Sequence, residues 1–161
     1  MLTFDEIANK IINNKKYIKM KNESHHGVSR YDHSLRVAGM TYKISKLLKQ
    51  DYVSATRAAL LHDFFINEDF HFENSFDKTK NHAGVALKNS ETHFHLNNLE
   101  KDAIITHMFP LNLKMPSTKE GITISLIDKT VAVYECTRFK LNTAITIWFL
   151  FIFNLITFTN N

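Results

Sequence analysis

Cysteine, glycine and proline are scarce in this chain. Its 161 residues include one cysteine, four glycines and two prolines. A single cysteine, Cys136, excludes an intrachain disulfide and is typical of a reducing compartment, and its apolar helical surroundings predict a small buried core residue. With few turn signals and 44% hydrophobic content, the composition predicts one compact, mostly helical domain over residues 1–161.

A secretory signal is missing from the amino terminus. The segment MLTFDEIANKIINNKKYIKMKN has neither the apolar run nor the small-residue cleavage site of an exported protein. Its apolar residues recur at helical spacing instead, beginning with Phe4, Ile7 and Ile11. We therefore expect a cytoplasmic protein that begins with an amphipathic helix.

The charge pattern lacks the features of a nucleic-acid surface. The net charge of +4 would suit a phosphate-bearing ligand, but the lysines are scattered and no stripe of aromatic and basic residues accompanies them. We expect a small phosphate-containing partner, with no stable nucleic-acid complex.

One long apolar run lies near the carboxyl end, at residues 143–158 (TAITIWFLFIFNLITF). As a helix it would rise roughly 24 Å at ~1.5 Å per residue, which is short of the ~30 Å hydrocarbon core of a bilayer. Asn154 also interrupts it. The mismatch favours a buried terminal helix or a homodimer contact. Membrane attachment is the alternative, because Arg138 and Lys140 precede the run.

Helical patterns joined by short polar turns fill the rest of the chain. Residues 33–50 predict a helix. DYVSATRAALLHDFF is alanine-rich and predicts a second helix. FDKTKNHAGVALKNS predicts a third, starting near residues 79–81, and LNNLEKDAIITHMFP a fourth. GITISLIDKTVAVYECTRF predicts a fifth that is apolar almost all round, so we expect an all-α bundle. The apolar face predicted for the helix over residues 33–50 comprises Val37, Met40, Ile44, Leu47 and Leu48.

Six polar side chains stand out on these predicted helices. Five lie at or near helix ends and one lies inside the apolar fifth helix: His33, His62, Asp63, His82 (in a first turn), His107 and, inside the fifth helix, Asp128. A buried carboxylate is costly unless it is paired or bound to a metal ion. Imidazole and carboxylate together suit Mn, Fe, Co, Ni or Zn better than Ca, which prefers oxygen ligands alone. The set therefore predicts a metal site.

The order of the motifs resembles the HD-domain superfamily of metal-dependent phosphohydrolases, over roughly residues 24–136. The motifs are YDHSLRVA, AALLHDFF, NHAGVAL, IITHMFP and SLIDKTVAVYE. The resemblance implies one or two divalent ions per chain, with Mg also possible, and a catalytic pair at His62 and Asp63. The implied ligands are His33, His62, Asp63 and Asp128 for one ion, with His82 and His107 for a second ion that Asp63 bridges to the first.

The reaction implied by the resemblance is hydrolysis of a nucleotide or another small phosphate ester by a metal-activated water. Arg30 and Arg36 flank His33 and could bind phosphate, because a guanidinium fork matches its oxygens. A surface arginine paired with a nearby acid is the alternative for each.

Two departures from the resemblance bear on mechanism. HDFFINEDF lacks the glycine and lysine that follow the HD pair in many members, which disfavours a lysine-assisted mechanism. A Gly-Tyr-Pro signature is also absent, which disfavours cleavage of cyclic dinucleotides. Two other functions remain open: a metal- and nucleotide-binding regulatory module without turnover, and a diiron oxygenase.

Other conspicuous residues have simpler interpretations. Phe64 and Phe65 are expected to pack in the core. Surface or capping positions are expected for the remaining histidines, which are His25, His26, His71, His93 and His95.

Overall fold

The structure, a computed structural model, describes residues 1–25, 27–70 and 75–159. Within them lie seven α-helices: α1 (Phe4–Ile12), α2 (Lys15–Lys19), α3 (Arg30–Leu47), α4 (Tyr52–Leu61), α5 (Ser75–His93), α6 (Asn98–Thr106) and α7 (Lys119–Thr159). Two short antiparallel strands, β1 (Ser24–His25) and β2 (Val28–Ser29), form a hairpin before α3 and pair Ser24 with Ser29. The predicted all-α class is confirmed.

Side-chain caps fix the starts of α3, α4 and α6, as they do those of α1 and α2. The hydroxyl oxygen of Ser29 accepts the backbone N–H of Asp32 at 3.0 Å and begins α3. Asp51 accepts a first-turn N–H of α4 in the same way, at 3.1 Å. At α6, Asn97 and Glu100 form a reciprocal capping box. Such caps satisfy backbone donors that the first turn leaves without partners, so short local sequences set where each helix begins.

The hydrophobic core is built around α4. Its fully buried residues include Ala55, Ala58, Ala59, Leu60 and Leu61. Because alanine side chains are small, neighbouring helices can approach α4 closely. Phe64 and Phe65 follow α4 and are buried as well, as predicted. Each such leucine or phenylalanine contributes about 1.5–3 kcal/mol by leaving water.

The buried face of α3 differs from the predicted apolar stripe. Val37 is buried and Ile44 partly so, but Met40, Leu47 and Leu48 are exposed. The buried positions of α3 are Arg30, His33, Ser34, Val37, Ala38, Thr41 and Ser45. Small and polar side chains occupy this face because α3 packs against α4 and carries His33 into the interior.

Two helices begin earlier than predicted. α5 begins at Ser75 and not near residues 79–81, so His82 lies about two turns into the helix and not in its first turn. α7 begins at Lys119, two residues before Gly121. Serine, threonine and asparagine are all good N-cap residues, and α5 offers several of them in succession, so local preference alone does not select its start.

The carboxyl-terminal part of α7 is not buried in the chain's own core. Ile124, Ile127 and Val131 belong to the core, whereas the described side chains from residue 141 to 150 are exposed. Burial of segment 143–158 was therefore the wrong expectation for these residues. The side chains of 149 and 151–158 lie outside the described part, and contact with a second copy stays a prediction. Cys136 is half-buried and not fully buried as expected.

Membrane attachment was the alternative for this segment. Among the residues that the structure describes, no helix has both the length and the apolar character needed to cross a membrane.

Two glycines, Gly27 in the turn of the β hairpin and Gly39 in α3, provide a matched test of how the surroundings of a glycine decide the effect of an added methyl group. Gly27 has a φ of +85°, and a Cβ there would lie 2.5 Å from Cδ2 of Phe139 on α7. Gly39 lies within α3 with nothing within 4 Å of its Cβ position. We expect Gly27→Ala to lower the free energy of unfolding by about 1–2 kcal/mol, because positive φ strains L-residues and the added Cβ overlaps the ring of Phe139. We expect Gly39→Ala to raise it by about 0.5–1 kcal/mol. Urea unfolding measures both.

Phe139→Ala provides the control for the contact between α7 and the hairpin. In that background we expect Gly27→Ala to cost less, because the overlapping ring is gone. An equal cost in both backgrounds would contradict the packing of Phe139 against Gly27.

Candidate metal centre

Helices α3 to α7 bring six ionisable side chains to one buried region. They are His33 (first turn of α3), His62 (C-cap of α4), Asp63 (after α4), His82 (within α5), His107 (C-cap of α6) and Asp128 (within α7). All six are buried, and the most exposed of them, His82, is only 8% exposed. The structure thus brings together every residue that the sequence predicted as a metal ligand.

A first group consists of His33, His62 and Asp128. Oδ1 of Asp128 lies 3.0 Å from Nε2 of His33 and 3.5 Å from Nε2 of His62. One potential ligand atom from each residue lies within 4.8 Å of the others. The three side chains come from three helices, so this group exists only when α3, α4 and α7 pack together.

A second group consists of Asp63, His82 and His107. Nε2 of His82 lies 3.1 Å from Nε2 of His107 and 3.3 Å from Oδ1 of Asp63. The remaining separation, from Nε2 of His107 to Oδ1 of Asp63, is 3.9 Å. Two imidazole nitrogens and a carboxylate oxygen therefore converge.

Asp63 connects the two groups. Its Oδ1 belongs to the second group, and its Oδ2 lies 4.0 Å from Nε2 of His62 in the first group. The two oxygens of one carboxylate thus face different imidazoles: Oδ1 faces those of His82 and His107, and Oδ2 faces that of His62.

Helix ends orient two of the imidazoles. Nδ1 of His62 lies 2.7 Å from the carbonyl oxygen of Ala59, and Nδ1 of His107 lies 2.8 Å from that of Ile104. A carbonyl can only accept a hydrogen bond, so Nδ1 carries the proton in each ring and Nε2 presents its lone pair to the centre. Nε2 of His62 is buried and has no hydrogen-bond partner among the described residues. That buried lone pair suits a cation.

Glu135 orients the third imidazole and was not identified from the sequence. Its Oε2 lies 2.8 Å from Nδ1 of His33, so Nδ1–H donates to Glu135 and Nε2 faces Asp128. A lone pair facing a carboxylate oxygen is repelled unless a proton or a metal ion lies between them. A carboxylate behind a histidine is a common support for a metal ligand. The available signal was spacing, because Glu135 follows Asp128 by seven residues, about two helical turns.

The ionisation of the centre favours a divalent cation. Burial by itself would raise the pKa of the Asp128 carboxyl, but the neighbouring imidazoles of His33 and His62 outweigh it and hold that pKa well below its usual value. Burial, together with neighbouring His62 and His82, lowers the pKa of His107 to about 3. At neutral pH the centre therefore offers the carboxylate oxygens of Asp128 and the neutral imidazole of His107, donor types that suit Mn, Fe, Co, Ni or Zn.

Both arginines pair with a nearby acid, which was the alternative to phosphate binding: Arg30 with Glu23 at 3.4 Å, in the interior and not at the surface, and Arg36 with Glu135. Arg30 is fully buried, donates from Nη1 to the carbonyl oxygen of Phe65 at 2.8 Å, and stacks on the Phe65 ring. Arg36 pairs with the carboxylate of Glu135. Arg30 therefore supports the turn after the HD pair, and Arg36 neutralises the acid that orients His33.

The other histidines are distributed as follows. His93 and His95 are exposed, as predicted. His26 and His71 lie outside the described residues, as does the side chain of His25.

The fold and the site together define an all-α protein with a histidine and aspartate metal-type centre. Residues 30–133 match the family described as HD domain. Because the match covers more than half of the chain, the protein belongs to the HD-domain family. Members of this family are generally metal-dependent phosphohydrolases.

Curated relatives include Ribonuclease Y from two strains of Ureaplasma parvum serovar 3. Each is 30% identical to the chain over 110 residues, a match that covers 68% of this chain and 21% of the relative. The chain thus spans about a fifth of the length of these relatives. No solved structure gave a significant match.

The support of His33 by Glu135 can be tested with Glu135→Gln. The amide keeps the size of the side chain and an acceptor oxygen but removes the charge. We expect the affinity for a divalent ion to fall roughly 10- to 100-fold, as is typical for partners behind a metal ligand. Competition with a metal-sensitive fluorescent chelator measures the affinity.

Glu91→Gln is the matched control for this change, because Glu91 pairs with Lys101 at the exposed surface. We expect it to leave the affinity for metal unchanged. If both variants bind as tightly as the wild type, Glu135 does not support the centre.

Proposed function

We propose that the chain is a metal-dependent phosphohydrolase acting on a nucleotide or another small phosphate ester. The observation that carries the proposal is the position of Asp63. Its Oδ1 lies 3.3 Å from Nε2 of His82 and its Oδ2 lies 4.0 Å from Nε2 of His62. A carboxylate whose two oxygens face imidazoles of both groups is the arrangement expected of a bridging ligand in a two-metal site.

The proposed ligands divide between two ions. His33, His62, Asp63 and Asp128 would hold one ion, and Asp63, His82 and His107 the other. When bound, a divalent ion supplies a nucleophile from water at neutral pH and offsets negative charge on the phosphoryl oxygens. Mn, Fe, Co, Ni and Zn suit the mixed nitrogen and oxygen donors, whereas Mg, which prefers oxygen, suits the imidazole-rich second group least.

The chain's own charges explain why such a reaction would depend on metal. Asp63 and Asp128 are both buried at the centre, and Asp128 stays ionised. Carboxylates repel a phosphate ester strongly where water is excluded. A phosphate can therefore approach only when cations outweigh them. Helix carbonyl oxygens hold the imidazoles of His62 and His107 through Nδ1, so their Nε2 atoms would stay in position when a cation binds.

The named relatives favour a particular kind of phosphate ester. A ribonuclease acts on RNA, and the chain is 30% identical over 110 residues to two proteins of that name. This similarity supports a second candidate, cleavage of a phosphodiester bond in a short oligoribonucleotide. The scattered lysines lack the basic and aromatic stripe of a long nucleic-acid surface, which favours a short substrate.

Asp63→Asn tests the proposed function. The change keeps the shape of the side chain but removes the charge that both groups face. We expect the protein to lose bound metal and to lose phosphate-ester hydrolysis by more than the roughly 10- to 100-fold typical of residues behind the ligands. Elemental analysis measures the metal, and a panel of nucleotides, phosphodiesters and short oligoribonucleotides measures the hydrolysis.

Asp5→Asn is the control, because Asp5 is exposed on α1, and we expect it to match the wild type. Metal without turnover on any substrate would favour the regulatory module, and iron-dependent oxygen consumption would favour the oxygenase. A wild-type protein that binds no Mn, Fe, Co, Ni or Zn would contradict both the centre and the proposed function.

A further inference from the structure

Lys129 on α7 contacts the backbone of His107, which ends α6 and belongs to the second group. Its Nζ donates to the carbonyl oxygen of His107 at 2.7 Å, and to the carbonyl and hydroxyl oxygens of Ser125 at 3.1 and 3.0 Å. Lys129 follows Asp128 directly and was not among the residues predicted from the sequence to form the site. It therefore contacts the backbone of one predicted ligand and is the neighbour in sequence of another.

The number of donors defines what Lys129 can do. An ammonium group has three N–H donors, and the three acceptors on His107 and Ser125 match that number. Its distance to Oδ2 of Asp128 is 3.9 Å, longer than a hydrogen bond. Lys129 would have to give up one of its bonds to contact a substrate phosphate. Its geometry is that of a positioning residue and not of a substrate-binding one.

The backbone carbonyl oxygen of His107 explains why a cation is suited to the end of α6. His107 is the C-cap of α6, and the last carbonyls of a helix have no partner within it and carry partial negative charge. Lys129 satisfies one of them. Ser125 lies one turn before Lys129 on α7. Its hydroxyl donates to the carbonyl oxygen of Phe109, in the turn that follows α6, at 2.8 Å. Two side chains of α7 thus hold the end of α6.

The contacts of Lys129 link the two groups. The imidazole of His107 belongs to the second group, and its backbone is bonded to Lys129. The carboxylate of Asp128 belongs to the first group and is carried by the adjacent residue of the same helix. Lys129 therefore links the end of α6, which carries His107, to the turn of α7 that carries Asp128.

We propose that Lys129 is a positioning residue that fixes His107 relative to Asp128 and so sets the geometry of the second metal site. The inference rests on the proposed function, because it presupposes that both groups hold ions. Loss of the ammonium group is expected to act mainly on the second site, because the hydrogen bonds of Lys129 go to His107 and Ser125, whereas its contact with Asp128 of the first group is an ion pair at 3.9 Å.

The experiment is a calorimetric titration of the full chain, freed of metal by chelation, with Co²⁺ alone. For Lys129→Met, which keeps the apolar stem but has no donor, we expect the dissociation constant of the second ion to rise roughly 10- to 100-fold. The constant of the first ion is expected to change less than roughly twofold. Lys140→Met, at an exposed lysine of the same helix, is the matched control and is expected to bind both ions as the wild type does.

A conservative variant separates positioning from general stability. Lys129→Arg retains charge and donors, and we expect it to restore most of the affinity for the second ion. If Lys129→Met fails to give a cooperative thermal transition, Lys129→Gln replaces it, with a smaller rise expected in the second constant only. An unchanged second constant, or an equal rise in both constants, would overturn the inference. A wild-type chain that binds no Co²⁺ would instead overturn the proposed function, so the two failures are distinguishable.

Discussion

The burial of two carboxylates is the constraint on which the rest of the centre depends. Asp63 and Asp128 are 2% and 7% exposed, and an ionised carboxylate in that environment costs several kcal/mol unless it is compensated. Compensation comes from imidazoles on four other segments, together with any bound cation. A shift of one helix would leave a buried charge without its partners. The packing of the helices and the chemistry of the centre are therefore linked.

The ends of helices solve a second problem, which is the orientation of the ligand atoms. His62 and His107 are both C-cap residues, and each ring bonds the carbonyl three residues earlier. The same local geometry thus selects the same tautomer twice and turns both Nε2 atoms inward. Alanines in α4 allow the neighbouring helices to come close enough for these nitrogens to share a centre.

Charged residues behind the ligands differ between the two groups. Behind His33 lies an anion, Glu135, which Arg36 partly neutralises. Behind His107 lies a cation, Lys129, bonded to the backbone and not to the ring. An anion at Nδ1 increases the donor strength of the opposite nitrogen, whereas a cation on the carbonyl mainly fixes position. The two groups are thus supported by different means, although their ligands are of the same types.

The sequence by itself determined the helical class and the approximate helices, because helical periodicity and capping residues are local properties. The six residues of the centre were predicted from the chemistry of histidine and aspartate together with the order of motifs shared with the HD-domain family, and the packing of the helices brings them together. The sequence did not determine the roles of Arg30, Arg36, Glu135 or Lys129, since each depends on which distant segment lies opposite. The start of α5 and the exposure of the described part of segment 143–158 were likewise decided by the tertiary structure. An apolar pattern shows that a surface avoids water, but only the arrangement of the other helices decides whether there is room to bury it.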